Sequence, residues 1–536
     1  MKWKNEILLI LFSALLFMPF LGTVHLFDWD EINFAESARE MLLTNNWFLV
    51  QVNFEPFWEK PPLFFWLQAL SMKAFGIGEF AARLPNAICG IVTVFVLYRI
   101  GKQHHNARFG LLWAFLYIGS FLPHLYFKSG IIDPWFNLFI FLSIYFLYRI
   151  IQFGDRLTYL NAILAGLFSG LAILTKGPVG FLLLLLTFLV WWSFNRFKKP
   201  AKFSVVLTFG VVTLAVSTFW FGLETWNNGP WFLVEFISYQ IDLFLNPVAG
   251  HKQPFFYHFL VVLMGCFPLS VLAIPSFHRG FQGDSDRFSK WMKYLFWVVL
   301  ILFSISTTKI VHYSSMTYLP LSYLSALVTF RLIMSKTALP KWQRIWILFQ
   351  GILIGVGLTL APILLMNRNY LLSRISDPFV RGNLTAPVDY FGWEWMIGLI
   401  YISVVIIAVI KSKTRLKQSV YILSLGTAAT LFVTMPLIVP MIESISQRSA
   451  VTFFKAQQGK DVYLKPYGYK SYAHLFYGKV TPETSHKMDQ HKLDNADKPV
   501  LISLKINRLE QFNKAYPNAI LIGEQGGFAF YKLNPP

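Results

Sequence analysis

Residues 158–202 read TYLNAILAGLFSGLAILTKGPVGFLLLLLTFLVWWSFNRFKKPAK. Two apolar runs, 158–174 and 178–195, are separated by Lys176-Gly177-Pro178 and followed by Arg196, Lys198, Lys199 and Lys202. Each run has the length of a helix that crosses a hydrocarbon core about 30 Å thick, about 17–25 residues. The pair reads as a membrane hairpin with a very short outer turn and a basic inner flank.

Working outward, similar runs lie at 7–27, 79–100, 109–127, 132–151, 203–222, 255–277, 290–306, 311–333, 344–366, 392–410 and 419–441, which makes thirteen. Over 536 residues, 55% are hydrophobic, 18% aromatic and 14% charged. A soluble domain carries about 25% charged residues. The class is therefore a polytopic α-helical membrane protein. The run from Ile7 to Phe27 is long for a signal-peptide core, and no small-x-small cleavage site follows Leu21-Gly22-Thr23, so it reads as an uncleaved first span.

The net charge of +20 sits in short clusters between spans. With the N-terminus inside, every alternate loop is basic: Lys2 and Lys4; Arg99, Lys102 and Arg108; Arg149 and Arg156; the Arg196–Lys202 cluster; Arg279, Arg287 and Lys290; Arg331, Lys336, Lys341 and Arg344; Lys411, Lys413, Arg415 and Lys417. That pattern belongs to inner loops beside anionic lipid. It excludes nucleic-acid binding, since no soluble segment carries a basic face with interleaved aromatics. Cys89 and Cys266 both lie in apolar runs, so neither a disulfide framework nor a cysteine-based zinc site is expected.

Two outer segments are long. Residues 28–78 hold amphipathic pieces at about 31–44 and 60–75, and 223–254 holds another at about 230–245; all three read as helices lying along the membrane surface. An odd span count puts the C-terminus outside. There, 442–536 changes to short apolar strands alternating with amphipathic helices: helix 447–457, strand 461–466, helix 469–477, strand 499–504, helix 507–515 and strands 519–523 and 527–532. The expected domains are a membrane part, 1–441, and a small soluble α/β domain, 442–536.

Acids, lysines and histidines collect on the outer side, many at span ends, and a membrane protein that concentrates ionisable groups there carries a site. Asp30, with Glu31, follows the first span and can be a helix N-cap or a carboxylate facing a hydroxyl or metal. Glu59-Lys60 is held rigidly before Pro61-Pro62, as a salt bridge or as a metal ligand beside a phosphate-binding lysine. Asp133 precedes Pro134 and fits an N-cap as well as an active-site acid. Lys176 can snorkel or, with Lys60 and Lys309, meet a lipid phosphate. Lys176-Gly177-Pro178 is no P-loop, because GxxxxGK is absent. Lys309 and Tyr313, around His312, enter span ten; His251 precedes span eight.

These stretches resemble the GT-C superfamily of lipid-to-lipid and lipid-to-protein glycosyltransferases, and most of all the bacterial lipid A aminoarabinose transferases, relatives of the protein O-mannosyltransferases. The likeness lies in Asp30-Glu31 with Ala35-Glu36-Ser37-Ala38-Arg39-Glu40-Met41; Phe57-Trp58-Glu59-Lys60-Pro61-Pro62-Leu63; Phe80-Ala81-Ala82-Arg83-Leu84-Pro85; Leu174-Thr175-Lys176-Gly177-Pro178; His251-Lys252-Gln253-Pro254; and Lys309-Ile310-Val311-His312-Tyr313. It implies a GT-C fold and an inverting transferase that uses a polyprenyl-phosphate sugar and no nucleotide cofactor, on the periplasmic side of a bacterial inner membrane. It makes Asp30 and Asp133 catalytic acids, with Glu31 beside them. It gives Lys60, helped by Lys176, Lys309 and Tyr313, to the carrier phosphate, and Glu59 with His251 to a divalent metal such as zinc. Two positions depart. The family's Asp-Glu-x-Arg has Asn33 in place of its arginine, which removes a cation and weighs against aminoarabinose as the sugar; Phe57 replaces a tyrosine.

The acceptor is expected to be an envelope lipid of the lipid A type, with protein O-glycosylation as the alternative and a growing polysaccharide as a third candidate. From another class, a lipid-linked saccharide flippase would need polar groups near the membrane midplane and often internal repeats, whereas here the span centres are almost free of charge.

Overall fold

The computed structural model describes residues 3–154, 157–246, 253–278, 286–485, 493 and 496–535. Helices stand at all thirteen apolar stretches. Among the described residues, eight are long and apolar enough to cross a membrane alone: Glu79–His104, Asp133–Phe153, Thr158–Lys176, Phe203–Asn228, Arg287–Ile305, Val311–Met334, Lys341–Met366 and Leu416–Ser444. Two more stretches are bent pairs, Ala107–Ile118 with Phe121–Lys128 at 82° and Tyr257–Gly265 with Leu269–Phe277 at 102°. Helices Lys4–Phe17, Val179–Phe194 and Met396–Lys411 are shorter, at 14, 16 and 16 residues.

The bends have local causes. Pro268, at the second break, has no N–H to give to a helix. At the first, a Cβ on Gly119 would lie 2.3 Å from Ser424 Cα, so the chain turns where it touches helix Leu416–Leu437.

Helix Thr158–Lys176 packs between Asp133–Phe153 and Phe203–Asn228 through small residues. A Cβ on Gly166 would lie 2.7 Å from Phe209 O, and one on Gly170 2.6 Å from Val216 Cβ. Such close backbones replace the hydrophobic effect that lipid cannot supply between helices. Ser143 Oγ donates to Ala165 O at 2.8 Å across the other interface. The antiparallel pair thus sets the end of one helix, Lys176, beside the start of the other, Asp133.

The outer segments carry helices Asp30–Thr44, Leu63–Phe75 and Trp231–Leu245, at the three places read from the sequence. They share an aromatic core of Phe34, Phe64, Phe65, Trp220, Phe232 and Phe236. A two-stranded hairpin, β1 (Gln51–Val52) with β2 (Glu55–Pro56), and helices Arg368–Leu372 and Pro378–Thr385 were not expected. In the tail, β3 (Tyr463–Tyr467), β4 (Val500–Lys505), β5 (Ile520–Gln525) and β6 (Phe528–Leu533) form one sheet in the order β3-β4-β6-β5. The β3–β4 pair is parallel and the other pairs are antiparallel. Helices Arg448–Lys455 and Ala473–Gly478 bury Val451, Phe454 and Phe476 against Leu26, Ile32, Ala35 and Ala38 of the first outer segment.

Candidate active site

Neither Asp30 nor Asp133 caps its helix. Each takes the first helical position, with Trp29 and Ile132 at the N-cap and no side-chain cap bond. Their charges meet other side chains instead. Asp133 Oδ1 accepts from Lys176 Nζ at 2.6 Å; the Asp133 side chain is buried, at 3% exposure, and that of Lys176 mostly so, at 13%. Asp133 at a helix start and Lys176 in a last turn also sit favourably on the two helix dipoles. His312 Nε2 lies 3.4 Å from Asp30 Oδ2 and 3.9 Å from Asp133 Oδ2, so one imidazole stands between the two acids. Asp30 keeps 31% exposure and is the open member of the group. The Lys176 ammonium lies 5.1 Å from the centre of the Tyr313 ring.

Pro62 occupies the N-cap of helix Leu63–Phe75, so Glu59-Lys60 is fixed just ahead of it. Glu59 Oε2 accepts from Tyr239 OH at 2.5 Å, and Glu59 O accepts from Gln240 Nε2 at 3.1 Å. Burial, and then the charge of Glu59, push the Tyr239 phenol up, which keeps it the donor. Lys60 Nζ donates to Glu59 O at 3.3 Å and lies 5.2 Å from the Tyr239 ring centre. Burial holds its ammonium below the usual lysine value. Lys176 pushes the same way, against the pull of Glu59, Asp30 and Asp133. The two lysines and three acids therefore share one electrostatic neighbourhood. Among the described residues, Lys60 Nζ has no carboxylate at ion-pair distance.

Two expected residues stand apart, and a third lies outside the described residues. Glu31 is an anchor, a correction to its expected place beside the catalytic acids. Its oxygens accept from Arg83 Nε at 3.0 Å, Arg83 Nη2 at 2.8 Å, Gly130 N at 2.5 Å and Phe27 N at 2.9 Å. Burial alone would raise this carboxyl; Arg83 and the other donors override it and hold it below the usual range. No lone pair is left facing a substrate. Lys309 turns its Nζ to Ser306 O at 2.5 Å, closing its own loop. His251 lies outside the described residues.

Of the two residues expected at a metal, Glu59 gives one oxygen to Tyr239, and His251 is not among the described residues. Among the described residues no three His, Cys, Asp or Glu side chains converge as a metal set requires. The described donors do not make a metal site. Asn33 is buried, at 2% exposure, with its Oδ1 unpartnered.

Reading the sequence put His312 and Arg83 inside motifs without a role, and missed Tyr239. It also missed Tyr472, whose ring meets Trp29 edge-on at 4.9 Å and whose phenol feels Glu59, Asp28 and Asp30. The signal for His312 was its position at a span entrance beside Tyr313; nothing local pairs it with the two acids.

Residues 59–220 match the family described as dolichyl-phosphate-mannose-protein mannosyltransferase. An uncharacterized protein of Aquifex aeolicus is 30% identical over 325 residues, 60% of this chain and 72% of that one. The chain belongs to the GT-C polyprenyl-phosphate-sugar glycosyltransferases. Within that family, the undecaprenyl phosphate-alpha-4-amino-4-deoxy-L-arabinose arabinosyl transferase of Erwinia tasmaniensis is 26% identical over 338 residues, 61% of this chain and 60% of that one. The chain thus spans about three fifths of the length of such curated relatives. The fold is that of ArnT from Cupriavidus metallidurans, whose crystal structure bound to undecaprenyl phosphate superposes with a TM-score of 0.76 at 17% identity over 99% of this chain and 98% of that one. The protein is a multi-pass membrane member of this GT-C family.

Proposed function

We propose that the protein moves a sugar from a polyprenyl-phosphate donor to an envelope acceptor, a lipid of the lipid A type ahead of protein, on the periplasmic face of a bacterial inner membrane. The observation that carries this reading is the meeting of Lys60 and Lys176 with Asp30, Asp133 and His312 where the outer helices meet the spans. The relatives' printed activities and the undecaprenyl phosphate in the ArnT structure support it.

In the proposed reaction the acceptor oxygen forms a bond to the anomeric carbon as the bond from that carbon to the phosphate oxygen breaks. Attack from the opposite face inverts the configuration. The leaving polyprenyl phosphate gains negative charge, and cations fixed where charge develops lower the barrier. Lys60, which among the described residues has no carboxylate at ion-pair distance, supplies one cation. Lys176, already paired with Asp133, holds that acid in place. A hydroxyl acceptor gives its proton to Asp30, and His312 steadies both carboxylates. A phosphate acceptor is already ionised, and Asp30 then orients it. No step passes through the metal expected on Glu59 and His251.

Native mass spectrometry of the full chain with added undecaprenyl phosphate tests the donor site. The wild type is expected to hold one such lipid and Lys60→Ala to lose it while remaining folded. A folded wild type that takes up only bulk phospholipid would overturn the reading.

A further inference from the structure

Asp133 follows a short connection, Ser129-Gly130-Ile131-Ile132, between the 3-10 turn Tyr126–Lys128 and helix Asp133–Phe153. Buried backbone groups outside helices and sheets need partners from elsewhere. Here side chains supply them. Asn86 Nδ2 donates to Ser129 O and to Ile131 O, both at 2.6 Å, so one amide spans the two carbonyls that flank Gly130. Both partners are acceptors, which fixes the way the amide faces. Gly130 N donates to Glu31 Oε1 at 2.5 Å. Gln68 Nε2 donates to Ala82 O at 2.8 Å and reaches Gly130 O at 3.5 Å. Trp135 Nε1, two residues past Asp133, donates to Pro85 O at 3.1 Å. Among the described residues no other donor reaches Ser129 O or Ile131 O.

Asn86 is buried inside helix Glu79–His104, three residues beyond Arg83. Residues three apart lie on one face of a helix. Arg83 holds Glu31, the neighbour of Asp30. Asn86 holds Ile131, two residues before Asp133. A single helix turn thus ties down both chain segments whose acids flank His312. Glu31 Oε1 accepts from Arg83 Nε and from Gly130 N, and so joins the two ties directly.

The distances in the cluster depend on that hold. Asp133 meets Lys176 at 2.6 Å and His312 at 3.9 Å, while His312 meets Asp30 at 3.4 Å. A shift of the connection moves Asp133 against all three. Asn86 itself bonds to none of the four side chains.

We propose that Asn86 is a positioning residue of the transfer reaction. It fixes the 129–131 connection, and through it the place of Asp133 beside His312 and Lys176. The proposal rests on the transferase reading and adds to it the element that sets the spacing of the two acids.

The test adds the purified full chain to membranes from cells that lack it, which carry the native donor and acceptor. Release of undecaprenyl phosphate is followed by mass spectrometry against membrane concentration, and rates are counted per folded molecule. Asn86→Ala is expected to lower kcat on the order of 10²-fold, the cost of misplacing a reacting group by about 1 Å. KM and the uptake of added undecaprenyl phosphate should stay within about twofold of wild type. In a His312→Gln background the same change should cost less than about fivefold, since residues that act as one unit are not additive. Asn86→Ser, which keeps one donor, is the second variant; it should fall between wild type and Asn86→Ala, and it carries the same comparison where the alanine variant does not fold. A kcat within about threefold of wild type, or the full loss repeated on top of His312→Gln, would overturn the assignment. Either result with an active wild type defeats the positioning role alone. A folded wild type that releases no undecaprenyl phosphate defeats the transferase reading, and the positioning role with it.

Discussion

Asp30 and Glu31 are neighbours in the chain, and the regions around them are built in opposite ways. Around Glu31, every charge is spent. The carboxylate takes two bonds from Arg83, and Arg83 also donates to Leu21 O, Val24 O and His25 O at 2.8, 2.9 and 3.0 Å. Around Asp30, charges are close but incompletely matched: His312 stands at 3.4 Å, Lys60 has among the described residues only a carbonyl and a ring, and about a third of the Asp30 side chain is open. A closed network fixes the loop after the first span to helix Glu79–His104. An open one leaves bonds to be made to a reacting group. The same residue types serve both, and what separates them is how many partners the backbone has already supplied.

Breaking each region in turn should give different losses. Asp30→Asn keeps the shape and removes the base; kcat with a hydroxyl acceptor is expected to fall by about 10²–10⁴, with the thermal midpoint unmoved. Retention of more than a tenth of wild-type kcat by the folded variant would remove Asp30 from the proposed mechanism. Arg83→Ala strands a buried carboxylate, at a cost of about 3–5 kcal/mol. Fluorescence-detected size exclusion should show aggregated protein; a monodisperse peak that melts with the wild type would mean the anchor is dispensable. His312→Gln keeps a polar group between the acids but loses the imidazole, and a kcat roughly tenfold lower at unchanged KM is expected. An unchanged kcat would reduce His312 to packing.

Much of this contrast was legible in advance. Charged groups at the outer ends of apolar runs marked Asp30, Asp133 and Lys176, since the bilayer makes any such group costly, and Pro61-Pro62 marked Lys60. Period-2 and period-3.6 patterns located the tail's strands and helices. The reading paired Glu31 with Asp30 by adjacency, whereas one residue along a helix is a turn of about 100° and carries Glu31 to the Arg83 side. His312 could not be placed by local pattern, because both its partners come from distant elements. The bend at Gly119 is set by Ser424, and β1 and β2 are two residues each, too short for alternation to show.

Glu40, on the same helix, sharpens the comparison at its smallest scale, because it is fully bonded and yet shares its cation with a second acid. Its oxygens accept from Asn53 N at 2.6 Å and Phe54 N at 2.8 Å and so hold the turn of the β1–β2 hairpin. Arg39 is engaged by Glu36 at 2.6 and 2.7 Å, which leaves one guanidinium for two acids. Burial, and then the charge of Glu36, push Glu40 up to about 9. Its folded value exceeds its unfolded one, so the folded state binds more protons between them. The stabilisation is complete below the usual glutamate range and is lost as pH rises through about 9. The thermal midpoint of the wild type should therefore decline between neutral pH and pH 9.5 more steeply than that of Glu40→Gln, which cannot ionise. The gap between the two slopes should be small, roughly 2–4 °C over that interval. Parallel slopes would show that Glu40 ionises normally and that the charge shared among Glu36, Arg39 and Glu40 is settled in some other way.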